Sequence, residues 1–107
     1  MNIIEKIEEQ LASQPVVLYM KGTPDFPQCG FSSRVVQILE SCEANYRAIN
    51  IFEEPELREA LKEYSHWPTY PQLYVKGELI GGCDIVTELY NTGQLQEKLQ
   101  AVGSISG

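Results

Sequence analysis

Lysine and arginine are scarce in this sequence: 107 residues hold 8 of them against 15 Asp and Glu, a formal net charge of −7 at pH 7. Tight contact with phosphate backbones depends on clustered cations that release counterions, so nucleic acid is not an expected partner. Also missing is any apolar run near the roughly 20 residues that span a bilayer. The opening Met1-Asn-Ile-Ile-Glu-Lys-Ile-Glu-Glu-Gln10 mixes charged and apolar groups within every turn, unlike the basic and apolar regions of a secretory signal. A cytoplasmic chain without a membrane span is therefore expected. Histidine occurs once, at His66, and cysteine three times, at Cys29, Cys42 and Cys83. With no Cys-x2-Cys pair and only one histidine, the chain lacks the ligand spacing of a structural zinc site. Three widely spaced cysteines also make a poor disulfide framework, and a reducing compartment fits them better. There is no internal repeat, linker or low-complexity segment, and 43% apolar residues over this length suit a single domain across residues 1–107.

The hydrophobic pattern divides the chain into elements. Ile4, Ile7 and Leu11 recur at helical spacing as far as Ser13, where Gln14-Pro15 breaks the pattern. Val16 to Met20 is a β-branched-rich apolar run, short enough for a strand buried on both faces. Lys21 to Gln28, with one Gly and two Pro, reads as a loop. From Cys29 onward Phe31, Val35, Ile38, Leu39 and Cys42 step along one helical face. Tyr46 to Ile51 reads as a second strand. Pro55 opens another helix with Leu57, Ala60, Leu61 and Tyr64 on its buried side. Gln72 to Val75 and Glu78 to Ile80, joined by Lys76-Gly77, read as a hairpin. Asp84 is placed to cap a helix running through Tyr90, Gly93 to stop it, and Leu95, Leu99 and Val102 to continue a helical tail. Ser104 to Gly107 is expected to fray. The order, a helix and then β-α-β-α-β-β-α, predicts an α/β, thioredoxin-like arrangement with a central four-stranded mixed sheet flanked by helices.

Cys29 falls where a strand, a loop and a helix N-terminus meet, so the helix dipole and free backbone N–H groups can stabilise its thiolate. Cys42, at the end of an apolar helical face, reads instead as a small buried hydrophobe. Cys29-Gly30-Phe31-Ser32 carries serine where a dithiol enzyme has its second cysteine, so an internal disulfide there is impossible. Lys21 reads either as a solvated lysine or as a cation beside the sulfur that binds a carboxylate. Arg58, in the third helix, reads on position alone as a solvated helix residue. In Trp67-Pro-Thr-Tyr-Pro71 two closely spaced prolines before a strand point to an unusual backbone, with a cis Tyr70–Pro71 bond that would let Tyr70 pair with an extended ligand, or to a rigid junction alone. Gly81-Gly82-Cys83-Asp84 combines close backbone approach with a helix N-terminus, which suits a small anion, and Asp84 could pair with an α-ammonium. His66 and Trp67 carry no expected chemistry.

Lys21, Cys29-Gly-Phe-Ser32, Trp67-Pro-Thr-Tyr-Pro-Gln72 and Gly81-Gly-Cys-Asp84, in that order, closely resemble the monothiol glutaredoxins, in their short single-domain bacterial and organellar form. The resemblance implies that glutathione lies in a groove. Its glycine carboxylate would meet Lys21 and Arg58, its cysteine backbone would pair with Tyr70 beside Pro71, and its γ-glutamyl end would meet Cys83 and Asp84. It also implies that two subunits share one [2Fe-2S] cluster, each giving the Cys29 thiolate and one glutathione thiolate. Such homodimers store clusters, pass them to iron–sulfur recipient apoproteins or act in regulation with BolA-type proteins. Four thiolates per cluster agree with one exposed cysteine per chain. The alternative function is a glutathione-dependent oxidoreductase that reduces mixed disulfides through the same groove. The resemblance associates the insertion-like loop Thr23 to Pro27 with weak activity of that kind and good cluster retention.

Overall fold

A computed structural model describes residues 2–105. Helix α1 (Ile3–Ser13) opens with Asn2, whose side chain accepts the Glu5 N–H at 2.9 Å, and turns Ile7 and Leu11 inward. Pro15 ends the helical pattern and strand β1 (Val16–Met20) follows, buried along its whole length. Helix α2 (Gly30–Ser41) begins directly after Cys29. Strand β2 (Arg47–Asn50) lies parallel to β1, which requires the crossover that α2 supplies. Helix α3 (Pro55–Ser65), with proline in its first turn, leads to the hairpin of β3 (Gln72–Val75) and β4 (Glu78–Gly81). Helices α4 (Cys83–Asn91) and α5 (Gln94–Ala101) close the chain.

The sheet runs β2-β1-β3-β4, with β3 antiparallel to both neighbours. Because strand side chains alternate, β1 feeds two cores. Val16, Leu18 and Met20 pack with Val35, Leu39, Val86, Leu95 and Leu99 from α2, α4 and α5. Val17 and Tyr19 pack on the other face with Ile7 and Leu11 of α1 and Leu57 and Leu61 of α3. The mixed four-stranded sheet between two helical layers is the thioredoxin-like architecture expected from the element order. Among the described residues no helix is long and apolar enough to cross a membrane.

Several local expectations are corrected. Strand β2 stops at Asn50, because the Asn50 Oδ1 accepts the Phe52 N–H at 3.0 Å and winds Ile51–Glu53 into a 3₁₀ turn. Tyr64, expected on the buried side of α3, is exposed. Phe31 is 63% exposed, whereas Ser32 beside it is fully buried. Asp84 does not cap α4: the N-cap is Gly82, without a side-chain bond, and Asp84 lies within the first turn. Ser104 is not frayed, since it is buried, its hydroxyl donates to the Asn45 carbonyl at 2.7 Å and its carbonyl accepts the Asn45 N–H at 2.9 Å. Ser106 and Gly107, the rest of the expected frayed end, lie outside the described residues.

Candidate functional site

Cys29 is the N-cap of α2, with extended backbone (φ −156°, ψ 136°), and its carbonyl accepts the Ser33 N–H at 2.9 Å. The N–H groups of the first turn have no carbonyl behind them, and those of Phe31 and Ser32 act on the sulfur. Partial burial pushes the Cys29 thiol up. The backbone N–H groups of Ser32 and Phe31, the Lys21 ammonium and the Ser32 hydroxyl together outweigh that effect, and the net direction is down. Cys42 moves the other way, raised by burial against the α2 core. All three cysteines are free.

The loop before Cys29 is tied down at several points. The Gly22 N–H donates to the Asn50 Oδ1 at 3.1 Å, the Gln28 N–H to the Lys21 carbonyl at 2.9 Å, and Thr23 and Phe26 pair through their backbones. Gly22 has φ +92°, and a Cβ there would come within 2.5 Å of the Phe26 carbonyl oxygen, so glycine is required. The Lys21 N–H donates to the buried Ser32 Oγ at 3.1 Å, which links the end of β1 to the first turn of α2. Phe26, at the loop tip, is 78% exposed.

A groove of about 400 Å³ adjoins this corner. Lys21 and Phe31 form the wall next to Cys29. Trp67, Thr69, Tyr70 and Pro71 form a second wall, with the Tyr70–Pro71 peptide cis. Gly82, Cys83, Asp84 and Ile85, at the start of α4, complete the lining. The groove therefore has an ammonium at one side and a helix N-terminus with a carboxylate at the other, a polarity suited to a short peptide bearing both charges.

Lys21, Tyr70, Pro71, Cys83 and Asp84 are thus brought together around one cavity, with Cys29 at its side. Arg58 does not line it: its guanidinium sits 5.4 Å from the Phe52 ring centroid, its Nε is buried without a hydrogen-bond partner, and its carbonyl accepts the Tyr70 hydroxyl at 2.6 Å. Trp67, Phe31 and Ile85 are lining residues that the sequence reading left out. The signal for Trp67 was its place inside the proline-flanked segment. Its indole N–H is buried without a partner. Among the described residues no cluster of three or more His, Cys, Asp or Glu could hold a metal ion.

Comparison with known proteins gives a consistent picture. The profile of the glutaredoxin family matches residues 16–80. A probable monothiol glutaredoxin 2 of Rickettsia felis is 55% identical over 96 residues, covering 90% of this chain and 92% of that protein. Glutaredoxin 4 of Escherichia coli strain K12 is 50% identical over 97 residues, 91% of this chain and 84% of that one. Among solved structures, reduced poplar apo GrxS14 superposes with a TM-score of 0.82 at 53% identity, covering 94% and 92% of the two chains. A buckwheat glutaredoxin–glutathione complex superposes with a TM-score of 0.87 at 29% identity, covering 97% and 93%.

Proposed function

The chain belongs to the glutaredoxin family, among its monothiol members, and from that premise we propose that it binds glutathione in the groove and carries a [2Fe-2S] cluster between two subunits. The observation that carries the reading is the lone activated thiol of Cys29, without a second thiol in its turn, beside a groove with opposite charges at its sides. Lys21 holds a carboxylate there, the backbone of Tyr70 and Pro71 aligns the peptide, and the N-terminus of α4 with Asp84 takes the end that bears both an α-ammonium and a carboxylate. Arg58 joins Lys21 only if its side chain leaves Phe52.

The donor set fits the cluster as one part of a larger shell. A [2Fe-2S] centre takes four thiolates; Cys29, at the start of α2, is taken as the one ligand from each chain, with Cys83, in the groove lining at the start of α4, meeting glutathione instead, so that two chains and two glutathione thiols complete the count. The cluster is cargo for recipient apoproteins, and BolA-type proteins are proposed as alternative partners to the second subunit. The protein's own part is to favour the Cys29 thiolate through the Ser32 and Phe31 N–H groups and to orient the glutathione thiol next to it.

A lowered thiol also supports a second reading, thiol–disulfide exchange. The Cys29 thiolate attacks the glutathione sulfur of a mixed disulfide and expels the partner thiolate; a second glutathione thiolate then attacks the Cys29–glutathione bond and leaves as oxidised glutathione. A visible spectrum taken after reconstitution with iron, sulfide and glutathione separates the two. Sulfide-to-iron charge-transfer bands, absent from Cys29→Ser, are expected. A colourless wild-type protein that turns over mixed disulfides rapidly would establish the second reading.

A further inference from the structure

Residues 67–71 form one wall of the groove without belonging to any helix or strand. Irregular chain keeps its shape where its carbonyl groups find fixed partners. Here two carbonyls share one partner: Gln72 Nε2 donates to the Trp67 oxygen at 3.1 Å and to the Thr69 oxygen at 3.2 Å. Gln72 is fully buried, the first residue of β3, and stands opposite Tyr19 of β1. Its Oε1 accepts the Tyr74 hydroxyl at 2.9 Å. Backbone carbonyls can only accept, so the amide nitrogen must face the loop and the amide oxygen must face Tyr74. Both N–H groups and the oxygen are then in use.

The base of this clamp is rigid. Tyr74 packs edge-on against Tyr19, with ring centroids 5.6 Å apart, and the Tyr19 hydroxyl donates to Gln10 Oε1 of α1 at 2.9 Å. At its outer end the clamp holds Trp67, whose indole abuts Gly82. A Cβ at Gly82 would lie 3.4 Å from Trp67 Nε1 and 3.3 Å from the Pro71 oxygen. The position of Trp67 therefore sets how closely the 67–71 wall approaches the start of α4.

We propose that Gln72 is a positioning residue of the groove, a buried amide that fixes the 67–71 wall against Gly82 and so pre-forms the surface that meets the ligand. The ligand half of this inference rests on the glutathione reading above; the clamp half does not. Pre-formation matters because a loop that must be ordered on binding subtracts that cost from affinity.

Trp67 is the only tryptophan in the chain, so its fluorescence reports the wall directly and without ligand. In Gln72→Met, which keeps length but has no donor, emission should shift to the red and iodide quenching should rise. Glutathione affinity by calorimetry should fall by about tenfold or more, the scale of losing two hydrogen bonds. Iodoacetamide should alkylate Cys29 at the wild-type rate, since that residue is held by other elements. Tyr74→Phe keeps both donors to the loop and should lose less than about threefold, the effect of one more distant bond. If Gln72→Met is too unstable to purify, Gln72→Asn, polar but one methylene too short to span both carbonyls, carries the same expectations.

Folded Gln72 variants with wild-type emission and quenching would overturn the clamp. Altered fluorescence with unchanged glutathione affinity would overturn the positioning role. A wild-type protein that fails to bind glutathione would overturn the reading of the groove, leaving fluorescence to decide the clamp.

Discussion

At Cys29 two backbone donors, a hydroxyl and an ammonium act on one sulfur, and their combined effect exceeds the burial that opposes them. Cys29 should therefore be alkylated by iodoacetamide with a pH midpoint lower than that of an unperturbed thiol. Cys42, raised by burial, should react only at higher pH, and peptide mapping across a pH series distinguishes them. Equal midpoints would contradict this account of the corner. The groove charges give a second test: Lys21→Ala and Asp84→Ala should each weaken glutathione binding by about 1–3 kcal/mol, the range for a lost charge-assisted contact. Wild-type calorimetric affinity in both would move the ligand elsewhere. Cys29, Lys21 and Asp84 were legible as candidates because helix-start chemistry and charge are written locally. Phe31 and Ser32 were not. Apolar periodicity sends a phenylalanine inward, yet in the first turn of α2 the residue that goes in is the serine, because its Oγ is needed by the Lys21 N–H. A hydrogen bond across 11 residues leaves no mark in a hydrophobic pattern.

The loop between β1 and α2 behaves as an element in its own right, folded by Asn50 and by the left-handed turn at Gly22. Gly22→Ala sets both an unfavourable φ and a backbone collision against the native loop, so it should cost about 2 kcal/mol or more in a denaturant titration. It should also open the segment 23–28 to limited proteolysis. A stable, protease-resistant variant would mean that the loop holds its shape by other contacts. The helices, the first strand and the hairpin were readable from periodicity and from Pro and Gly punctuation. Element ends were less so. Asn50 ends β2 through a side-chain bond to Phe52, and Gly82 takes the cap position that Asp84 was expected to fill. Both outcomes depend on backbone direction as much as on residue type, and Asp84, two residues past the cap and within the first turn, still places its carboxylate near the helix N-terminus, where the dipole favours it.

Across the whole molecule, the two-layer packing follows from β1, whose alternate residues feed both cores, and this was legible because all five are apolar. The docking of Ser104 on Asn45, 59 residues away, was not, since a polar terminal segment gives no sign of its partner. Net charge is a whole-molecule property with a consequence for pairing. Each chain carries −7, so the proposed pairing of two chains at Cys29 would bring like charges together, their repulsion screened over about 10 Å at 0.1 M salt. The exposed apolar side chains near the site, Phe31 and Phe26, do not depend on salt in that way. The proposed cluster-bridged dimer, if it forms on reconstitution, should therefore tighten as salt rises from about 0.02 to about 0.3 M, the reverse of an interface built from complementary charges. Sedimentation of the reconstituted protein across that range gives the dimer fraction, and visible absorbance gives the cluster retained. Salt also screens the contact of Lys21 with a carboxylate, so glutathione affinity must be followed in parallel; a loss there would oppose the expected trend and can be subtracted. If the dimer loosens with salt while glutathione affinity holds, oppositely charged patches join the two chains, and the apolar rim around Cys29 is not what brings them together.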